Sequence, residues 1–258
     1  MRRMTLPGRG DDPSVPDDVR ARPCPRRLIT CFLVLACLAL PADAETRRAL
    51  LVGIDQYNAP AKRAPRSPEP GRTAWIDLEG AVNDVQTIRD LLIARYSFKP
   101  ADVRVLLNAE ATRDNLLQAF RKHLIESAGP DDVVLFYYAG HGSQVRNSRS
   151  DEPDGMDESL VPADSNAGAP DLRDKEMALL YNELLDKTPR VIAVFDSCHS
   201  GSNTRGLPRP VRTRSLPPDP RDVKDATRLE ITPEQKGLVV LSAAQDYQPA
   251  SEAYERQA

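Results

Sequence analysis

The chain has 258 residues, 40% of them hydrophobic, with 35 Lys and Arg set against 38 Asp and Glu for a formal charge of −3. That length holds one sizeable α/β domain, or at most two small ones, and the apolar share can bury a core. The near-balance of charge excludes a protein that attracts nucleic acid or anionic membrane by bulk electrostatics.

From the N-terminus, Arg22, Arg26 and Arg27 precede an apolar run over residues 28–40, followed by Pro41-Ala42-Asp43-Ala44. A basic start, a short apolar centre and an A-x-A end predict a secretory signal cleaved after Ala44. The run is too short to span a bilayer, which takes about 20 residues, so no stable membrane span is expected after cleavage. The mature chain is then exported, periplasmic or secreted. Cys24, Cys31 and Cys37 leave with the signal, and Cys198 becomes the only thiol. No intramolecular disulfide can form, and a lone thiol in an oxidising compartment must be buried or used.

The apolar run at 48–55 predicts a buried strand, and the Pro-, Arg- and Lys-rich residues 58–76 an exposed insertion. Ala81, Val85, Ile88 and Leu92 recur at helical spacing within 79–96. Residues 103–107 predict a second strand. Thr112 caps a helix with the stripe Leu116, Phe120 and Leu124, stopped by Gly129-Pro130. A third strand over 132–139 leads into a polar, acidic loop over 143–171. A helix follows around 175–186, then a fourth strand over 190–196. Residues 202–236 hold six prolines and six arginines with no periodicity, which predicts a solvated linker. A fifth strand is expected over 238–243. Strands separated by helices imply a mainly parallel α/β sheet covered on both faces.

In such a sheet, reactive groups collect beyond the carboxyl ends of the strands. The third strand runs into Ala139-Gly140-His141-Gly142 and the fourth into Asp196-Ser197-Cys198-His199-Ser200-Gly201. If the two strands are neighbours, His141 and Cys198 meet at one edge. An imidazole there helps form the thiolate and later protonates a leaving amine. The Gly142 and Cys198 amides are placed to stabilise an oxyanion. A single Cys or His is more often structural, but both of these sit past the strands among Gly and Ser, where burial is least expected. His199 adjoins the thiol, yet neighbours along a strand end point to opposite sides. His123, on a helix, is expected to be merely exposed.

The segments RALLVGIDQY, LEGAVNDV, FYYAGHGSQ, DEPDGMDESLVPAD and VFDSCHSG resemble the metacaspase and bacterial caspase-like branch of the caspase superfamily. They span nearly all of the mature chain, in order. The resemblance implies a caspase-like three-layer α/β sandwich, a His141–Cys198 dyad and cysteine endopeptidase activity. Cys198 lies 57 residues after His141, near the roughly 50 of caspase signatures. The Q-A-C-x-G context of caspases is absent, however, and Asp-Ser-Cys-His-Ser-Gly stands in its place. By the same resemblance Asp84 and Asp196 line the S1 pocket, favouring protein or peptide substrates with Arg or Lys at P1. Two further pocket positions, often Cys and Ser in the family, are Ala81 and Ala139 here. Read without the resemblance, Asp84 is an ordinary polar helix position and Asp196 a turn former.

Metacaspases often need calcium, and Asp151, Glu152, Asp154, Asp157 and Glu158 offer oxygen ligands. Their spacing is not that of an EF-hand. The family's paired aspartates before the next helix correspond to Asp174 and Lys175, so a cation stands where a ligand is expected. A solvated acidic loop is the expectation, with no metal or cofactor assigned. The implied domain plan is a signal and extension over 1–44, then a peptidase domain over 45–258. Within it, 45–201 are large-subunit-like, 202–236 form the linker and 237–258 are small-subunit-like. Family chains continue past the QDYQ stretch, so C-terminal elements are expected to be missing. The alternative to an enzyme is a catalytically weak caspase-like interaction module. Arg205, Arg209, Arg212, Arg214, Arg221 and Arg228 in the linker make self-cleavage a further expectation.

Overall fold

The computed structural model describes residues 45–57, 72, 75–197 and 214–243. The signal segment, residues 58–71, Cys198, His199 and the first part of the linker lie outside the described residues. In chain order the elements are β1 (Arg47–Gly53), α1 (Ala81–Arg95), β2 (Val103–Leu107), α2 (Arg113–Ala119), β3 (Val133–Ala139), β4 (Gly142–Arg146), β5 (Met156–Leu160), β6 (Leu172–Arg173), α3 (Asp174–Leu185), β7 (Arg190–Asp196) and β8 (Val239–Ser242).

Five strands form a parallel sheet in the order β2-β1-β3-β7-β8. Side chains alternate across it with a period of two, so each central strand supplies both faces. Ala49 and Leu51 of β1, with Tyr137 and Ala139 of β3, pack against Ala81, Val85 and Leu92 of α1. Leu50 and Val52 of β1, with Val134, Phe136 and Tyr138 of β3, pack against α2, α3 and the π-helical turn Phe120–Ile125 that prolongs α2. The expected three layers follow from this split. Burial on both faces is why β1 and β3 read as unbroken apolar runs.

Helix ends are fixed by identifiable groups. The Thr112 hydroxyl accepts the Asn115 amide at 3.3 Å and starts α2, as its sequence position predicts. Gly80 precedes α1 and has no side chain to cap it. The Asp55 carboxylate, at the end of β1, does so instead by accepting the Ala81 and Val82 amides at 2.8 and 3.2 Å. A Cβ on Gly53 would meet Val85 Cγ2 at 2.8 Å and the Ala81 carbonyl oxygen at 2.9 Å. Glycine at that position lets α1 sit close on β1 and brings Asp84, in its first turn, to the carboxyl end of the sheet.

Four expectations are corrected. The acidic loop over 143–171 is not simply solvated. It folds into a three-stranded antiparallel sheet, β4-β5-β6, with Gly142 beside Leu160 and Leu160 beside Leu172. His123 is not merely exposed: it is half-buried, with Nε2 at 3.1 Å from the Ala49 carbonyl and 3.0 Å from that of Asp102. Burial lowers its pKa from the ordinary value, and it ties the end of α2 to β1 as a structural clamp. Arg72, inside the insertion read as exposed, is buried against Asp171 in a bidentate pair at 2.8 and 3.3 Å. The fourth correction concerns the linker and belongs to the site. At the far edge of the main sheet, β8 carries Val239, Val240 and Leu241 exposed. Among the described residues no helix is long and apolar enough to cross a membrane.

Candidate active site

β3 and β7 are neighbours in parallel register, with Ala139 beside Asp196. The condition set for His141 and Cys198 to share one edge is met by the strand order. Cys198 itself, two positions beyond the end of β7, lies outside the described residues.

His141 is fully buried, and its ring is held from two sides. Nε2 lies 2.6 Å from the Ile76 carbonyl oxygen. A carbonyl can only accept, so a neutral imidazole carries its proton on Nε2 and keeps the lone pair on Nδ1. That is the form a general base needs, and the Ile76 carbonyl holds the ring in this orientation. Tyr57 packs against the imidazole with ring centroids 4.6 Å apart and planes tilted by 45°, and its hydroxyl accepts the His141 amide at 2.8 Å. Tyr138 places its hydroxyl 2.8 Å from the carbonyls of both His141 and Val161. Burial raises the hydroxyls of Tyr57 and Tyr138 above their ordinary pKa, so both remain protonated hydrogen-bonding groups. None of these positioning groups was singled out from the sequence. Tyr138 read there as part of an apolar strand, Tyr57 lay just past the end of one, and a backbone carbonyl leaves no trace.

Gly140 makes this arrangement possible. A Cβ there would meet the Tyr57 hydroxyl at 2.7 Å and the Tyr138 hydroxyl at 2.8 Å. Gly140→Ala must therefore push apart the two groups that seat His141. We expect kcat to fall on the order of 10²-fold, the usual result of misplacing a reacting group by about 1 Å. A drop in Tm should accompany it. An alanine variant with wild-type kcat would show that the tyrosines do not position the imidazole.

The acidic pair is the second feature of the edge. Asp196 lies beside Ala139 on the α1 face of the sheet, and Asp84 lies in the first turn of α1. Between them sits Arg214, itself buried. Its Nη2 is 2.5 Å from Asp84 Oδ2, and its Nη1 is 2.5 Å from Asp196 Oδ2. The Tyr137 hydroxyl donates to Asp196 at 3.3 Å. The Gly142 amide donates to the carbonyl oxygen of the same arginine, at 2.9 Å. The two carboxylates and the amide singled out from the sequence thus converge on one residue, 16 positions after Cys198.

This overturns the expectation of a solvated linker for residues 214–225, whereas most of residues 228–236 are exposed. Leu216 N donates to Gly142 O at 3.0 Å, Asp219 N to Gln144 O at 2.8 Å and Arg146 N to Asp219 O at 3.0 Å, so the segment runs parallel to β4. Leu216 is buried, which contributes about 1.5–3 kcal/mol. The Pro217 carbonyl accepts from Arg72 Nε at 2.7 Å and Ser143 Oγ at 3.0 Å. Proline-rich composition removed the apolar periodicity without removing the docking, because the contacts are backbone bonds, ion pairs of Arg214 and Asp225, and one leucine.

The acidic residues of the loop divide in the fold. Carboxylate oxygens of Glu152, Asp157 and Asp174 lie within 4.8 Å of one another, a grouping with the charge to attract a metal ion. The donor set does not fit a divalent cation, however, because Lys175 Nζ is already among them. It stands 2.7 Å from Asp157 Oδ1, 3.5 Å from Glu152 and 3.6 Å from Asp151, and donates to Ser150 Oγ at 2.6 Å. The other Asp157 oxygen accepts from Arg173 at 3.0 Å and Asn147 at 2.9 Å. Burial opposes charge on both partners, but hydrogen bonds outweigh it, lowering the Asp157 pKa and raising that of Lys175. Burial pushes Asp174 up to about 6.

Known proteins place this architecture. A family model described as "Metacaspase, peptidase C14 domain" matches residues 47–205. Metacaspase-1 of Schizosaccharomyces pombe is 33% identical over 186 residues, covering 70% of this chain and 40% of that protein. Metacaspase-1 of Pyricularia oryzae is 31% identical over 207 residues, covering 78% of this chain and 45% of that one. The chain therefore spans less than half the length of these relatives. A solved protein of Geobacter sulfurreducens shares the fold at a TM-score of 0.55 and 22% identity, over 79% of this chain and 75% of that one. The fold is a caspase-like α/β sandwich. The chain belongs to the metacaspase family of C14 peptidases.

Proposed function

We propose that the protein is an exported cysteine endopeptidase that cleaves after Arg or Lys and processes its own linker. The observation that carries this reading is Arg214, whose guanidinium lies between Asp84 and Asp196 while its carbonyl accepts the Gly142 amide. An arginine side chain in an acidic pocket and its carbonyl on an oxyanion donor are what a P1 residue requires. In the reaction, the Cys198 thiolate attacks the P1 carbonyl and the Gly142 and Cys198 amides receive the developing oxyanion. The C–N bond breaks as His141 hands its proton to the leaving amine. Water, deprotonated by His141, then hydrolyses the thioester. Export is supported by the basic and apolar residues ending at Ala44.

Applied to the chain itself, the scissile bond is Arg214–Ser215. Leu216, Pro217 and Asp219 would keep the downstream piece docked along β4 after the cut. Incubated wild type should yield a new N-terminus at Ser215, identified by mass spectrometry, and Cys198→Ala should not. Arg214→Ala should remove that fragment while cuts after other linker arginines persist. Identical fragments from wild type and Cys198→Ala would assign the cutting to a contaminant. Hydrolysis of Arg-, Lys- and Asp-terminated fluorogenic peptides tests the specificity directly.

A further inference from the structure

We infer that Lys175 is the resident cation of the Glu152–Asp157–Asp174 group, so that this chain holds its fold and its site without a divalent metal. A calcium ion takes 6–8 oxygens at 2.3–2.6 Å. The Lys175 ammonium lies 2.7 Å from Asp157 Oδ1, nearly at that distance, and both Asp157 oxygens are engaged by cationic donors. A divalent ion entering the group would have to displace the ammonium or sit beside it, and like charges so close repel strongly.

The position of the lysine explains what it holds. Asp157 is fully buried on β5, and Lys175 lies in the first turn of α3. Through Ser150, Asp151 and Glu152 the ammonium also fastens the turn between β4 and β5. Arg173, on Asp157 from the other side, reaches Asp225 at 2.7 Å, and Asn147 donates to the Asp225 carbonyl at 2.8 Å. The group thereby anchors the far end of the segment whose near end is Arg214. In a site built around a metal ion the same coupling would require the ion; here it is covalently part of α3.

This inference concerns the cation and stands apart from the peptidase reading, so binding and melting carry its test and activity is a separate arm. The full chain should show less than about 1 °C change in Tm between chelator and millimolar calcium, and no sensitised terbium luminescence. Lys175→Asp and Lys175→Met should each melt lower in chelator. With calcium in hundredfold excess over its Kd they should regain roughly 5–10 °C, the shift expected of a ligand bound by the folded state alone. Terbium should luminesce in both. The methionine variant keeps the side-chain bulk, so it answers for the aspartate variant if that one fails to fold. Wild-type protein that gains stability from calcium, or loses hydrolysis in chelator and regains it with calcium, would overturn the inference. So would two variants that calcium leaves unchanged.

Discussion

Cys198→Ala should leave no measurable peptide hydrolysis, and His141→Ala should lower kcat by about 10⁴-fold or more, since a nucleophile and its base act as one unit. His141 is buried, with Tyr57 packed against its ring and the Ile76 carbonyl on Nε2, so its loss cannot be replaced by a mobile neighbour. The other two histidines separate the reading from its rivals. His199→Ala should keep substantial activity. His123→Ala should lower Tm through its contacts to Ala49 and Asp102 while leaving kcat close to wild type. Equal loss of kcat at His199 and His141 would transfer the base role. An interaction module without catalysis would instead show no difference between wild type and Cys198→Ala on any peptide.

Asp84→Asn and Asp196→Asn should each lower kcat/KM for Arg peptides by about 10²–10³-fold, largely through KM. Removing one partner of a buried, hydrogen-bonded charge pair costs about 2–5 kcal/mol, and each 1.4 kcal/mol is tenfold. The lower end of that range follows from geometry: each carboxylate is bonded to Arg214, which is almost fully shielded from water, but Asp84 and Asp196 themselves remain 35% and 28% exposed. Because Arg214 uses the same carboxylates, both variants should also slow the Arg214–Ser215 cut, and the two losses should run in parallel. Peptides ending in Asp should remain uncut by wild type, since the pocket would set three carboxylates against one another. Efficient cleavage after Asp would refute the acidic-pocket reading.

The two predictions draw on different levels of information. The strands of the main sheet were legible because a parallel strand buried on both faces must be apolar along its buried length, as β3 is throughout and β1 is from Ala49 onward. The helices were legible from stripes such as Leu116, Phe120 and Leu124, all buried. From these the carboxyl-end rule pointed to His141 and to the stretch bearing Cys198. Resemblance added Asp84 and Asp196, which composition and periodicity left as an ordinary helix position and a turn.

Most of what escaped the sequence outside the His141 seat has one physical cause. The β4-β5-β6 sheet is built from strands such as GSQVR and MDESL, whose inward polar groups are satisfied by distant partners and so break the apolar alternation that marks a strand. Asp157 is buried because Lys175 and Arg173 meet it, and Asp171 because Arg72 reaches it across 99 positions. Arg214 reaches Asp84 across 130. An ion pair of that kind leaves no local pattern in either partner, and each charge read alone predicts a solvated surface. The sequence by itself determined the layered α/β plan and the stretches that carry a histidine and a thiol after two strands, and resemblance added the two carboxylates. Only the tertiary structure decided that a linker arginine lies between those carboxylates and that a lysine fills the acidic group, because both depend on which charges the fold removes from water together.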